Sequence, residues 1–303
     1  MENPGEVPAG GDTAHSSPPA GNFNAHAHVL SWGTKVNSRY PFLISVPHGG
    51  TSVPPELCDR IALSGSEVSF YSDPATRVMY EFRDSVSAYL DTPVTRMAVD
   101  LNRNPLDLPP RKPDGVVKSR TAFGTPVYLE GSFPEMPLVH HMLMTHFFPY
   151  HEALDRLLDN GDVSLALDCH SMLPVGPPDQ KDAGARRPLV CLGNNGDRAG
   201  KSRRGGLATC PSEWICGLAG AFRTEFPGRG EVAINVPYSG GFIVNAHYWH
   251  RGIPWIQVEM NRSLYEPPGS RPDSFLAPDQ ERLVSLRERV WRVLADFWDS
   301  MPG

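Results

Sequence analysis

Three short apolar runs, each ending in a polar residue, restrict this chain more than any other feature. Residues 41–46 read Pro-Phe-Leu-Ile-Ser-Val and lead into Pro47-His48-Gly49-Gly50. Residues 163–167 read Val-Ser-Leu-Ala-Leu and lead into Asp168-Cys169-His170-Ser171. Residues 254–260 read Pro-Trp-Ile-Gln-Val-Glu-Met. Such runs fit buried strands of an α/β sheet. A fourth, less apolar run, residues 94–99, leads into Asp100-Leu101-Asn102-Arg103. Open α/β sheets bind ligands at the carboxyl ends of their strands, so the four ends are expected to meet at one site.

Between the runs the spacing is helical. Val78, Phe82, Val86 and Tyr89 predict a helix over 75–90, and residues 138–158, closed by Asn160-Gly161, predict a second. Leu283, Leu286, Val290, Val293, Leu294 and Phe297 form one face of a C-terminal helix. The alternation predicts an α/β, three-layer domain with a largely parallel mixed sheet flanked by helices. Residues 1–35, rich at first in Gly, Pro, Ala and Ser, are expected to be a disordered tail, and 36–303 a single domain. His15, His26 and His28 fall in or beside that tail and read as ordinary polar sequence. Residues 104–126 are rich in Pro and Gly and read either as a lid or as a surface loop.

Composition excludes several partners. With a net charge of -6 and no long Lys/Arg cluster, no nucleic-acid surface is expected. Five cysteines without a C-x-x-C pair suit a reducing compartment. Cys169 alternates with Asp168 and His170 and should pack on the other face. No stretch is apolar and long enough for a bilayer, and the N-terminus lacks the order of a signal peptide, so a cytoplasmic protein is expected. The oligomeric state is not written in the sequence.

Each polar strand end has two readings. His48 is a hydrogen-bonded loop histidine or a metal ligand, with space provided by the glycines beside it. Asp168 and His170 share a strand face, as a buried polar pair or as a ligand with its orienting carboxylate. Gln257 and Glu259 also share a face. A buried Glu is costly unless paired or used with a raised pKa as a proton carrier. Asp73 caps a helix or completes a ligand set. His140, His141, His146 and His151 do not share one helix face and read as surface or core residues. His247 and His250 have a spacing that could bind metal on a helix, but read rather as loop residues before the Trp255 strand.

Taken in order, the pieces resemble the N-formylglutamate amidohydrolase family. The resemblance runs through Ser45-Val46-Pro47-His48-Gly49-Gly50, Ser72-Asp73, Arg96 with Asp100-Leu101-Asn102-Arg103, and Asp168-Cys169-His170-Ser171. It continues through Asn235-Val236-Pro237-Tyr238-Ser239-Gly240-Gly241, Gln257-Val258-Glu259-Met260 and Leu264-Tyr265. It implies a zinc-peptidase-like fold, shared with metallocarboxypeptidases and aspartoacylase-type deacylases. It further implies that His48, His170 and Asp73 bind Zn²⁺, that Glu259 is the acid/base, and that Asn102 and Arg103 clamp a substrate carboxylate. Arg103 or Arg96 would share the developing oxyanion. Tyr238, Ser239, Asn245 and His247 are further substrate-side positions. The sequence departs from the family where Ser239 and Asn245 stand in place of cations. The expected reaction is therefore zinc-dependent hydrolysis of an N-acyl amino acid, with a substrate less acidic or bulkier than formylglutamate. A carboxypeptidase-like or natural-product deacylase activity is the alternative.

Other classes fit less well. Residues 196–202 look like a phosphate loop, but Asn195 stands where the motif needs Gly. His48-Gly49-Gly50 resembles an oxyanion loop, yet no Gly-x-Ser-x-Gly follows. A non-catalytic protein that kept the fold is the remaining reading.

Overall fold

The computed structural model describes residues 31–34, 38–160 and 162–301. Most of the tail expected over residues 1–35 lies outside them. Within it, Ser31–Thr34 forms strand β1, paired antiparallel with a later strand. The sheet thus takes in residues 31–34, inside the expected tail.

The apolar runs become strands: β2 (Tyr40–Val46), β4 (Leu165–Met172) and β7 (Trp255–Asn261). With β3 (Val86–Asp91), β5 (Val190–Gly193) and β6 (Val232–Ile234) they form a seven-stranded sheet, ordered β1-β3-β2-β4-β7-β5-β6. Pairing is parallel across β3-β2-β4-β7 and between β5 and β6. It is antiparallel for β1-β3 and β5-β7. The helices are α1 (Gly65–Tyr71), α2 (Thr76–Met79), α3 (Met136–Met142), α4 (Phe148–Asn160), α5 (Ser212–Glu225), α6 (Phe242–Arg251) and α7 (Gln280–Asp299). A π-helical segment, Leu143–Phe147, joins α3 to α4, so the predicted 138–158 helix is one interrupted rod.

Three elements differ from the sequence reading. The helix expected over 75–90 stops at Met79, and residues 86–91 are β3, buried along its whole length. Its position between β1 and β2 supplies ladder partners on both sides, which outweighs a helical spacing that holds for only a few residues. Residues 94–99 are a turn with isolated bridges to Gly50 and Ser52, not a strand. His247 and His250 lie on α6, which ends where Gly252 takes a left-handed conformation (φ 71°).

Alternation along the central strands sorts residues into two layers. Phe42, Ile44, Leu165, Leu167, Ile256 and Val258 point to one side and pack with Ile215 and Phe222 of α5 and Leu286 and Val290 of α7. Leu43, Ala166 and Trp255 point the other way, toward Leu154 of α4 and Ile243 of α6. Further along that second face the same alternation brings Ser45, Asp168, His170, Gln257 and Glu259, all buried. One sheet face therefore changes from apolar to polar toward the carboxyl ends of its strands.

Candidate active site

The polar end of that face is built by register. β4 and β7 pair His170 with Glu259 and Asp168 with Gln257, and β2 and β4 pair Ser45 with Asp168. His48 follows two residues beyond the end of β2. Asp73 follows the capping residue of α1, and its backbone N–H donates to the His48 carbonyl (2.8 Å). His48, Asp73 and His170 are each about 2 % exposed, with ligand atoms within 4.8 Å of one another.

The orientation of the two imidazoles is fixed from behind. His48 Nε2 lies 2.7 Å from Asp100 Oδ1, and His170 Nε2 lies 2.9 Å from Asp168 Oδ2. With those nitrogens donating to carboxylates, both Nδ1 atoms turn lone pairs inward, 3.1 Å apart. Asp73 Oδ2 stands 3.8 Å from each. Two facing lone pairs and a carboxylate oxygen repel unless a positive charge lies among them. The proton affinities express the same demand. Burial disfavours charge on His170, but Asp168 and Asp73 raise it to about 10, whereas burial and Arg96 lower His48. Two imidazole nitrogens and one carboxylate oxygen, each backed by a hydrogen-bonded partner, are a donor set that could hold a metal ion.

Asp73 is anchored in turn. Arg262 donates to Asp73 Oδ1 (2.7 Å), to the Phe70 carbonyl (2.6 Å) and to the Ser72 carbonyl. Burial alone would raise the Asp73 pKa, but hydrogen bonds from His170 and His48 and the charge of Arg262 hold it well below the carboxylate range. Asp100 is held low against burial by Arg96, Lys118 and His48. Glu259 moves oppositely. Burial, helped by Asp73 and Asp168, pushes it up to about 7 despite His170. Its Oε1 accepts from Gln257 Nε2 (2.8 Å).

A cleft opens at Asp73, walled by Arg96, Arg103, Lys118, Arg187, Arg262 and Tyr238 among others. Sequence reasoning had brought Arg96, Arg103 and Tyr238 there. It missed Arg187, Lys118, Asp114 and Arg262. Of these only Arg262 carried a local signal, its place just beyond the Glu259 strand. Four expected substrate-side residues do not line the cleft. Asn102 Nδ2 donates to Asp168 Oδ2 (3.0 Å), beside His170 Nε2 which donates to the same carboxylate, and its Oδ1 accepts from Ile243 N (2.8 Å). Ser239 packs its backbone against Gly193, and its carbonyl accepts from Asn195 N. Asn245 bonds back to the Gly241 carbonyl within α6 (2.7 Å). His247 is buried between helices, bonded to Asp155 (2.9 Å) and His151 (2.9 Å). Arg103 reaches the cleft wall but gives its Nη2 and Nε to Asp114 (2.7 and 3.0 Å).

A family model described as N-formylglutamate amidohydrolase matches residues 40–266. The chain belongs to the N-formylglutamate amidohydrolase family. An N-formylglutamate deformylase of Pseudomonas aeruginosa is 28% identical over 236 residues, which cover 75% of this chain and 82% of that protein. The crystal structure of an N-formylglutamate amidohydrolase from Ralstonia eutropha JMP134 superposes with a TM-score of 0.70 at 18% identity, covering 89% of this chain and 97% of the other. A gene product of Agrobacterium tumefaciens superposes at 0.63 and 13% identity, covering 90% and 94%. The family match runs from β2 to just past β7 and so takes in His48, Asp73, His170 and Glu259.

Residues 196–202, which look like a phosphate loop, are not followed by a helix; α5 starts at Ser212. A phosphate loop needs that helix start. All five cysteines are free, and Cys169 is buried on the face opposite Asp168, as its spacing predicts.

Proposed function

We propose that the chain is a zinc-dependent amidohydrolase that cleaves the N-acyl, N-formyl-type amide of an amino acid or related small carboxylate. One observation carries this reading. Two histidine Nδ1 atoms and Asp73 Oδ2 converge, while Glu259 stands opposite His170 in register with a pKa near 7. A zinc ion held by His48, Asp73 and His170 would supply a Lewis acid and lower the pKa of a water to about 7. Glu259 takes the proton of the attacking water on its carboxylate and delivers it to the leaving nitrogen. A base whose pKa lies near neutrality can do both. Asp100 and Asp168 keep the two imidazoles in the tautomer that presents Nδ1. Arg96 gives one amino group to Asp100 (2.8 Å) and keeps its buried Nε without a partner among the described residues. It is the cation we assign to the substrate carboxylate or the developing oxyanion, a role the sequence had divided with Arg103.

Metal analysis of purified protein, then a screen of N-formyl and N-acetyl amino acids, tests the assignment. About one zinc per chain is expected, lost in His170→Ala while the fold persists. Full occupancy in that variant would remove His170 from the ligand set. A metal-loaded wild type inert toward every N-acyl amino acid would refute the hydrolase reading.

A further inference from the structure

We infer that the cleft selects an N-acyl amino acid with an apolar, preferably aromatic, side chain, and that Phe123 is the residue that selects it. The inference rests on the amidohydrolase reading and adds the substrate's side chain.

Most of the cleft's positive charge is already paired within the protein. Arg103 and Lys118 pair with Asp114, and Lys118 also with Asp100 (2.8 Å). Arg187 pairs with Asp182 (2.7 Å) and donates to Gln180 Oε1 (2.5 Å). Arg262 pairs with Asp73 (2.7 Å). Only Arg96, among these cleft cations, keeps a buried nitrogen with no acceptor. A substrate α-carboxylate would use it. A glutamyl side chain brings a second carboxylate, which would have to break one of the internal pairs and leave a buried or half-buried charge behind.

One wall of the cleft is aromatic. Phe70, Tyr71 and Phe123 line the same cleft, with Phe123 5.9 Å from the Phe70 ring and 6.0 Å from the Tyr71 ring. Phe70 and Tyr71 are buried, but Phe123 is 39% exposed. It is not a loose side chain on a loose loop. Thr121 N donates to the Thr125 carbonyl (2.9 Å), and Gly124 N donates to the Thr121 carbonyl (3.0 Å). Thr121 Oγ1 accepts from Phe123 N and Thr125 N (3.2 Å each), and Arg120 Nη1 donates to the Gly124 carbonyl (2.9 Å). Gly124 turns the chain at φ 79°, where a side chain would be strained. The turn is tied across the cleft, Asp179 N donating to the Ala122 carbonyl (3.3 Å). A rigid turn that holds a phenyl ring half in water, beside two further rings, is arranged to be covered by an apolar group.

The test uses zinc-loaded protein and four substrates: the N-formyl derivatives of L-phenylalanine, L-leucine, glycine and L-glutamate. The phenylalanine derivative is expected to exceed the glutamate derivative in kcat/KM by about 10-fold or more, the scale of burying part of one apolar side chain. Phe123→Ala should lower kcat/KM for the phenylalanine derivative about 10-fold more than for the glycine derivative. Phe123→Arg should shift the preference toward glutamate. Preference of the wild type for glutamate, or an equal loss on all four substrates in Phe123→Ala, would overturn the inference. If none of the four is hydrolysed, the N-formyl group is not the acyl group cleaved, and calorimetric binding of N-acetyl-L-phenylalanine against N-acetyl-L-glutamate decides the subsite. Tighter binding of the phenyl compound that is lost in Phe123→Ala upholds it, and equal or reversed affinity overturns it.

Discussion

At the scale of the residue, Glu259 joins two properties that conflict in a folded protein. Its carboxyl is buried and raised to about 7, which suits proton transfer and opposes stability. The folded pKa lies above the ordinary 4.5, so the folded state favours the neutral acid. The cost of burying the carboxylate is absent below about pH 4.5 and fully present above about pH 7. Glu259→Gln removes the charge at nearly constant shape. The metal-free variant should therefore be more stable than metal-free wild type at pH 8, by up to about 3 kcal/mol, and the gain should vanish below pH 4.5. Denaturant titrations at both pH values check this. The zinc-loaded variant should lose about 10²–10⁴-fold in turnover. A gain of stability equal at both pH values would show that packing, not ionisation, separates the two proteins.

At the scale of the element, the loop over residues 104–126 packs into the protein at residues 115–118, while residues 110–114 are exposed. Val116 and Val117 are fully buried, Asp100 N donates to the Val116 carbonyl (2.8 Å), and Asp114 holds Arg103 and Lys118. Asp114→Ala should lower hydrogen-exchange protection across residues 113–121 and cost on the order of 1–3 kcal/mol, with β4 and β7 protected as before. Unchanged exchange in the loop would mean that Val116 and Val117 hold it without the ion pairs. The lid-or-loop ambiguity of the sequence arose here, because Pro and Gly report turns and say nothing of what the turns pack against. The strands β2, β4 and β7 were legible because burial on both faces leaves a largely apolar run. β3 was hidden because Val86 and Tyr89 extend the helical spacing of Val78 and Phe82, and only the partners on either side decide for a strand. The triad was legible because His48 and His170 sit at strand ends. Arg187, Lys118 and Asp114 were not, since no spacing relates them to the triad. Ser239 and Asn245, read as vacated cation positions, turned out to lie off the cleft wall.

At the scale of the whole molecule, the centre joins β2, the turn after α1, β4 and β7. An ion bound only by the assembled site stabilises the native state by about 2.7 kcal/mol at a free concentration of 100 times its dissociation constant. Chelation followed by zinc readdition should thus lower and then restore the melting temperature by several degrees. His170→Ala should show no such restoration, and a melting temperature indifferent to zinc in wild type would place any bound metal outside the folded core. The separation of the donors along the chain has one more consequence. His48 and Asp73 emerge from the ribosome well before His170, and Glu259 follows later still. β7 is also the strand that carries β5 and β6 into the sheet. A nascent or truncated chain that ends before β7 holds the histidines without the sheet neighbour that aligns His170. Such a fragment would carry every donor of the proposed metal site and still lack Glu259, so metal binding without turnover is expected of it.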